Sequence, residues 1–222
     1  NNRYLRLFES NLRIEKKIKV DSITIDSFYQ KKTNLRNPNI IKIDTQGTEL
    51  AVLKGAVNTL KRVGMVDVEV QFIPQYENAA TFDEIFSFMH NNGFELLYLN
   101  RVTQQRERSS FFSKGQLVFG DAIFGHREDK LDAFSQEDLL NYILLLSVYG
   151  FFDIASGLIG KVNCSDSRMF LEEIFTRRMK DKILENSQRY LNPIIDKIIL
   201  LLLTFRKHNS LFLDSDRSWP TR

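Results

Sequence analysis

An α/β fold with parallel strands, followed by an all-helical region, is the class this sequence predicts, and three features predict it. The run Asn39-Ile-Ile-Lys-Ile-Asp-Thr-Gln-Gly-Thr-Glu-Leu-Ala-Val-Leu-Lys-Gly-Ala56 reads as a short apolar strand ending in an acid, a turn at Gly47, and a helix opened by Glu49. Strand-like and helix-like stretches then alternate as far as Gly125, with connections long enough to cross over between parallel neighbours. After Arg127 the texture changes to helical periodicity with no clear strand.

Each element has its own local signal. Leu12 to Val20 is basic with alternating apolar residues and suits an edge strand. Ile23 and Ile25 alternate with threonine, and Asp26 is placed to cap a short helical turn around Phe28. Gln30 to Pro38 is polar and loop-like, whereas Ile40 to Ile43 is nearly all apolar, as a buried parallel strand should be. The next helix should bury Leu50, Leu53, Val57 and Leu60, a spacing of three and four along one face, and end before Gly64. Val66 to Val70 alternates valine with Asp67 and Glu69, the period of two of a strand. Thr81-Phe-Asp-Glu84 is a capping box; Phe82, Ile85, Phe86 and Met89 form the apolar stripe behind it, and Asn91-Asn92-Gly93 ends that helix. Phe94 to Leu99 and Leu117 to Phe124 are the last two strands, joined by a polar, basic loop around Arg101 to Arg108. Ser135-Gln-Glu-Asp138 is a further capping signal, after which Leu139 to Phe152, Met169 to Met179 and Leu191 to Phe205 read as helices. The chain therefore divides into an α/β part, 1–127, and a helical part, 128–222.

Composition narrows the class of function. At 222 residues there is room for one large or two small domains. Hydrophobic content of 43% with 27% charged residues is that of an ordinary globular chain. The 31 basic residues are offset by 28 acidic ones and are not gathered in one block, which argues against a nucleic-acid partner. A single cysteine, Cys164, excludes an internal disulfide and a multi-cysteine zinc site, and suits a reducing, cytoplasmic setting. The opening Asn-Asn-Arg-Tyr has none of the apolar core of a signal peptide. The most apolar run, Ile198 to Leu203, is far short of the ~20 residues needed to span a bilayer, so it reads as a buried or interface helix.

The Asn39–Ala56 run closely resembles the central motif of the FkbM family of S-adenosylmethionine-dependent methyltransferases, roughly I-K-I-D-x-x-G-x-E-x-x-V-L-x-G-A. Acid, glycine, second acid and the downstream Leu-Lys-Gly-Ala all fall in register, with a slight departure after Glu49. Ile23-Thr-Ile-Asp-Ser-Phe28 is similar to the family's segment before the motif, and Val66-Asp-Val-Glu-Val70 and Tyr76-Glu77 to segments after it. Gly93-Phe-Glu-Leu-Leu-Tyr-Leu99 and the closing Gly120-Asp-Ala-Ile-Phe124 extend the likeness, which covers about Lys19 to Gly125. The resemblance implies that 1–127 is the C-terminal half of a Rossmann-like class I methyltransferase sheet, with an antiparallel last strand. It implies an O-methyltransferase using S-adenosylmethionine on a hydroxyl of a sugar or secondary metabolite. The chain contains no Gly-x-Gly and does not begin with methionine, so the glycine-rich loop and ribose-binding acid of such a sheet are expected upstream of residue 1. A second reading, from a different class, is a non-catalytic module. In that reading the helical tail mediates self-association or assembly with a protein partner or fused enzyme, such as a glycosyltransferase.

The site residues follow from pattern and resemblance together. Asp44 ends a strand, where ligands sit in open α/β sheets, although an acid there also serves as a helix cap. By resemblance it is the first choice for the base or for orienting the acceptor, with Glu69 as the second catalytic carboxylate. Glu49 lies in a first helical turn, where the dipole favours an acid, and is either structural or an acceptor contact. Gln71 and Tyr76 are further acceptor contacts on the strand-to-helix loop. Asp44, Thr45 and Gly47 are the expected cofactor contacts. Asp44, Glu49 and Glu69 are also oxygen ligands of the kind a divalent cation takes. His90 reads as a surface or packing residue on its helix, His126 follows the final strand, and His208 sits in a basic tail. None of the three has the partner spacing of a metal box or a triad.

Overall fold

A computed structural model describes residues 18–32, 34–104 and 115–176, together with the short strand 212–214. These residues fall into two compact units, one running to Phe134 and including Phe212–Asp214, the other beginning at Ser135. In the first unit the order is α1 (Ile25–Lys31), β1 (Ile40–Ile43), α2 (Glu49–Lys54), α3 (Val57–Leu60), β2 (Met65–Gln71), α4 (Phe82–Asn91), β3 (Phe94–Gln104) and β4 (Gln116–His126). The second unit contains α5 (Gln136–Val148), α6 (Phe152–Leu158) and helix over 165–176. β5 (Phe212–Asp214) returns to the first unit and pairs antiparallel with β3.

The sheet order is β1-β2-β4-β3-β5. β1 and β2 are parallel, joined by the α2–α3 crossover, and β4 runs antiparallel between β2 and β3. One face of the sheet is apolar: Ile41, Ile43, Val66, Val68, Val70, Ala122 and Phe124 pack with Leu53, Leu60, Ile85 and Met89 of the helices. Burial of each such side chain stabilises the fold by about 1.5–3 kcal/mol. Strand alternation turns Lys42, Asp67, Glu69, Gln71 and Asp121 to the opposite face. The functional groups of the sheet are thus sorted onto one side by the period of two.

Several local expectations are corrected. Thr24, not Asp26, caps α1, its hydroxyl accepting from the Ser27 N–H at 3.1 Å. Asp26 reaches instead to the start of α3, accepting from the N–H groups of Asn58 at 2.9 Å and Thr59 at 2.8 Å. The helix after Asp44 is not continuous but breaks at Gly55 and Ala56, leaving Leu53 and Leu60 buried and Leu50 and Val57 partly exposed. Residues 18–20 are not a strand, and the rest of the proposed edge strand lies outside the described residues. The alternation over β2 does hold as a strand, and it is buried on both faces, with Glu69 its one half-buried residue. The helix expected over Leu139 to Phe152 is divided at Gly150 into α5 and α6. Helix over 165–176 covers the described part of the one expected from Met169, and Leu191 to Phe205 lies outside the described residues. β5 is a strand where the tail was expected to be all helical; three residues leave little room for a period to show. No described helix is long and apolar enough to cross a membrane.

Candidate functional site

The C-terminal ends of parallel β1 and β2 lie side by side, the edge at which open α/β sheets receive ligands. Lys42 pairs with Asp67 and Ile43 with Val68, so alternation carries Asp44 past the end of β1 to the side of Glu69 on the polar face. Asp44 is exposed, and its Oδ1 accepts from Gln46 Nε2 at 2.8 Å.

The turn that presents Asp44 is held from inside by Glu49. This residue is 2% exposed, and its carboxylate folds back into the turn. Glu49 Oε1 accepts from the Thr45 N–H at 2.9 Å, the Thr45 hydroxyl at 3.2 Å and the Gly47 N–H at 3.0 Å; Oε2 accepts from the same Gly47 N–H at 3.1 Å. The backbone donors of Thr45 and Gly47 are therefore committed to Glu49. Gln46 and Gly47 adopt φ of 57° and 108°, and a Cβ added at Gly47 would lie 2.8 Å from the Tyr76 Cβ. Tyr76 thus packs directly on the turn, and its hydroxyl donates to Gln46 Oε1. Tyr76, Gln46 and Asp44 form one hydrogen-bonded chain across the mouth of the site.

Charge is concentrated on this edge. Glu69 is half-buried and its carboxyl is pushed up to about 7, by burial first and then by Asp44, Glu49 and Asp121, with Lys42 pulling the other way. Burial also raises Asp67, opposed by Lys42, whose Nζ donates to Asp67 Oδ2 at 3.2 Å. Tyr76 is raised by burial and then by Glu69, Glu49 and Asp44, which sets all three carboxylates around its phenol. Gln71 is 1% exposed; its Oε1 accepts from the Gln75 N–H at 2.9 Å, while its Nε2 is buried without a partner.

The structure therefore brings Asp44, Glu69 and Tyr76 together, with Gln71 further along the same face of β2, and places Glu49, Thr45 and Gly47 in the supporting turn. Among the described residues, no three His, Cys, Asp or Glu side chains are grouped so as to hold a metal ion, which corrects the cation reading of Asp44, Glu49 and Glu69. The physical reason is Glu49, whose oxygens are turned to backbone N–H groups. His90 stacks on Phe86 with ring centroids 6.1 Å apart, and His126 packs 4.0 Å from Phe94 with Nε2 at 3.0 Å from the Leu60 carbonyl oxygen, so both are packing residues. His208 lies outside the described residues. Sequence reasoning missed Gln46, whose positive φ has no signature in a glutamine, and Asp121, which lay inside a quoted motif but reaches the site only through the pairing of β4 with β2.

The carboxylates suit a ligand bearing positive charge: Asp44 stands close enough to disfavour ionisation of Glu69, and a cationic group between them relieves that repulsion. Residues 3–96 match the family model described as Methyltransferase FkbM domain. This stretch is thus similar to the methyltransferase domains of the FkbM family; the match begins before α1 and ends within β3, short of Gly120-Asp-Ala-Ile-Phe124. Neither the search of curated proteins nor that of solved structures returns a match.

Proposed function

We propose that this methyltransferase domain moves a methyl group from S-adenosylmethionine to a hydroxyl oxygen of a small-molecule or carbohydrate acceptor, with the carboxylates at the β1–β2 edge as its working groups. The observation that carries the reading is Glu69: a half-buried carboxyl at a ligand-binding edge, held at about 7 by burial and by neighbouring acids. A group poised there is ionised often enough to accept a proton and basic enough to do so effectively. The β1-β2-β4-β3 order, with one antiparallel strand, supports reading the sheet as the second half of a Rossmann-like class I sheet.

When bound, S-adenosylmethionine supplies an electrophilic methyl group on a positively charged sulfur. Asp44 is the exposed group that would meet that charge, because the Thr45 and Gly47 N–H donors are already engaged by Glu49. Glu49 holds the turn, and Gln46 fixes the Asp44 carboxylate through its side-chain amide. Glu69, as the carboxylate, takes the proton of the acceptor hydroxyl. Tyr76 covers the turn and keeps Asp44 and Gln46 in one arrangement, which matters because methyl transfer is an in-line displacement that rewards tight positioning.

The test is transfer of labelled methyl from S-adenosylmethionine by the full protein to a panel of saccharides and other hydroxyl-bearing acceptors. Glu69→Gln and Asp44→Asn should each keep the fold and lose on the order of a hundredfold or more of turnover. Near-normal turnover in both variants would move the chemistry away from this edge.

A further inference from the structure

Across the β2–β4 pair, Glu69 lies directly opposite Asp121, so the two carboxyl groups share one face of the sheet. Side chains in such positions have Cβ atoms about 4.5–5.5 Å apart, and like charges there repel. β3 completes the arrangement from the other side of β4. Asn100 is the register partner of Asp121, and its Nδ2 donates to Asp121 Oδ2 at 3.5 Å. Gly120 makes this approach feasible, because a Cβ there would collide with the Asn100 carbonyl oxygen. The glycine–aspartate step that begins Gly120-Asp-Ala-Ile-Phe124 therefore has two functions, close strand approach and delivery of a carboxylate to Glu69.

We propose that Asp121, held by Asn100 directly opposite Glu69, is a positioning residue whose carboxyl keeps Glu69 ready to take the acceptor's hydroxyl proton. The proposal rests on the methyl-transfer reading above. Other charged groups bear on the pair from every side: Lys42 and Asp44 from β1 and its end, Asp67 from β2, Glu49 from the turn, and the Tyr76 phenol from the loop. Within this field the Asn100 amide holds the Asp121 carboxyl opposite Glu69, where it adds to the burial and neighbouring acids that raise Glu69 to about 7. Gln71 adds a donor on the same face of β2, two residues on, with its Oε1 tied to Gln75 and its Nε2 unpartnered in the buried edge. In the reaction the acceptor's O–H bond breaks as its O–CH3 bond forms. The donor's S–CH3 bond breaks with its electron pair left on sulfur, and the proton passes to Glu69.

Carboxyl-carbon NMR of the full chain labelled at glutamate Cδ reads the pair without any substrate. One glutamate signal should titrate near 7 and be absent in Glu69→Gln. In Asp121→Asn that titration should shift to lower pH. Should Asp121→Asn fail to fold, Asn100→Ala decides, because loss of the amide frees the Asp121 carboxyl from its place opposite Glu69 and lowers the Glu69 titration as well. An unchanged Glu69 titration in a folded Asp121→Asn or Asn100→Ala chain overturns the pairing. Labelled-methyl transfer by the same samples separates the two claims. A shifted titration without transfer by the wild-type protein upholds the carboxylate pair and sinks the methyl-transfer reading, whereas transfer with an unshifted titration does the reverse.

Discussion

Gly47 carries two demands at once, a φ of 108° and a Tyr76 Cβ only 2.8 Å from where its own Cβ would stand. A side chain there must strain the backbone and displace the ring. Gly47→Ala should therefore cost roughly 1–3 kcal/mol of stability in urea unfolding. Because the same turn aims Asp44, the variant should also lose methyl transfer at temperatures where it stays folded. Glu69 gives a second expectation at this scale. Burial and neighbouring acids raise its carboxyl to about 7 in the folded chain, against 4.5 for the free group, so the folded state holds this proton more tightly than the unfolded one. The destabilisation is absent below the unfolded value, grows as pH rises through about 7, and is complete above it. Glu69→Gln should then be no more stable than wild type in mild acid. Above neutrality it should be more stable, by on the order of 2 kcal/mol after allowance for partial exposure. Parallel melting curves that differ equally at every pH would show that the carboxyl is not under this pressure.

Among the elements, α3 depends most on a single remote side chain. It is four residues long, and its first N–H groups are satisfied by Asp26, whose Oδ1 also accepts from the Thr59 hydroxyl at 2.7 Å. Burial raises the Asp26 carboxyl, but hydrogen bonds from Asn58 and Thr59 outweigh it and leave it below its ordinary value. Its stabilisation is thus full above the unfolded value and is lost as pH falls through the lower folded one. Asp26→Ala should cost about 1–2 kcal/mol near neutral pH, with a smaller difference in acid. This role illustrates how far elements could be read from residues. Helix α4 was legible because its capping box and apolar stripe are local, and Thr81 and Glu84 do close on each other. Asp26 was misassigned because the aspartate that looked like a cap for α1 spends its oxygens on a helix more than thirty residues away, a distance no local pattern encodes. The break at Gly55 and Ala56 was hidden for a similar reason: the apolar spacing of Leu53 and Leu60 is preserved across it.

For the molecule as a whole, the order of strands and helices as far as β4 could be read from alternating periods, but the insertion of β4 between β2 and β3 could not be read from spacing alone. That insertion is what places Asp121 opposite Glu69, so half of the carboxylate pair was invisible until strand pairing was known. The parallel β1–β2 edge was legible, and with it Asp44 and Glu69. The supporting function of Glu49 was not, because an acid in a first helical turn looks the same whether its oxygens face solvent or the turn. The proposed reaction turns on Glu69 accepting the acceptor's proton during methyl transfer. Its most direct test is the pH dependence of kcat/KM for labelled-methyl transfer by the full protein, beside Glu69→Gln. The rate should rise with pH through about 7 to a plateau in the wild type, and be low and without that step in the variant. A wild-type profile flat across the neutral range, or the same rise retained in Glu69→Gln, would contradict it.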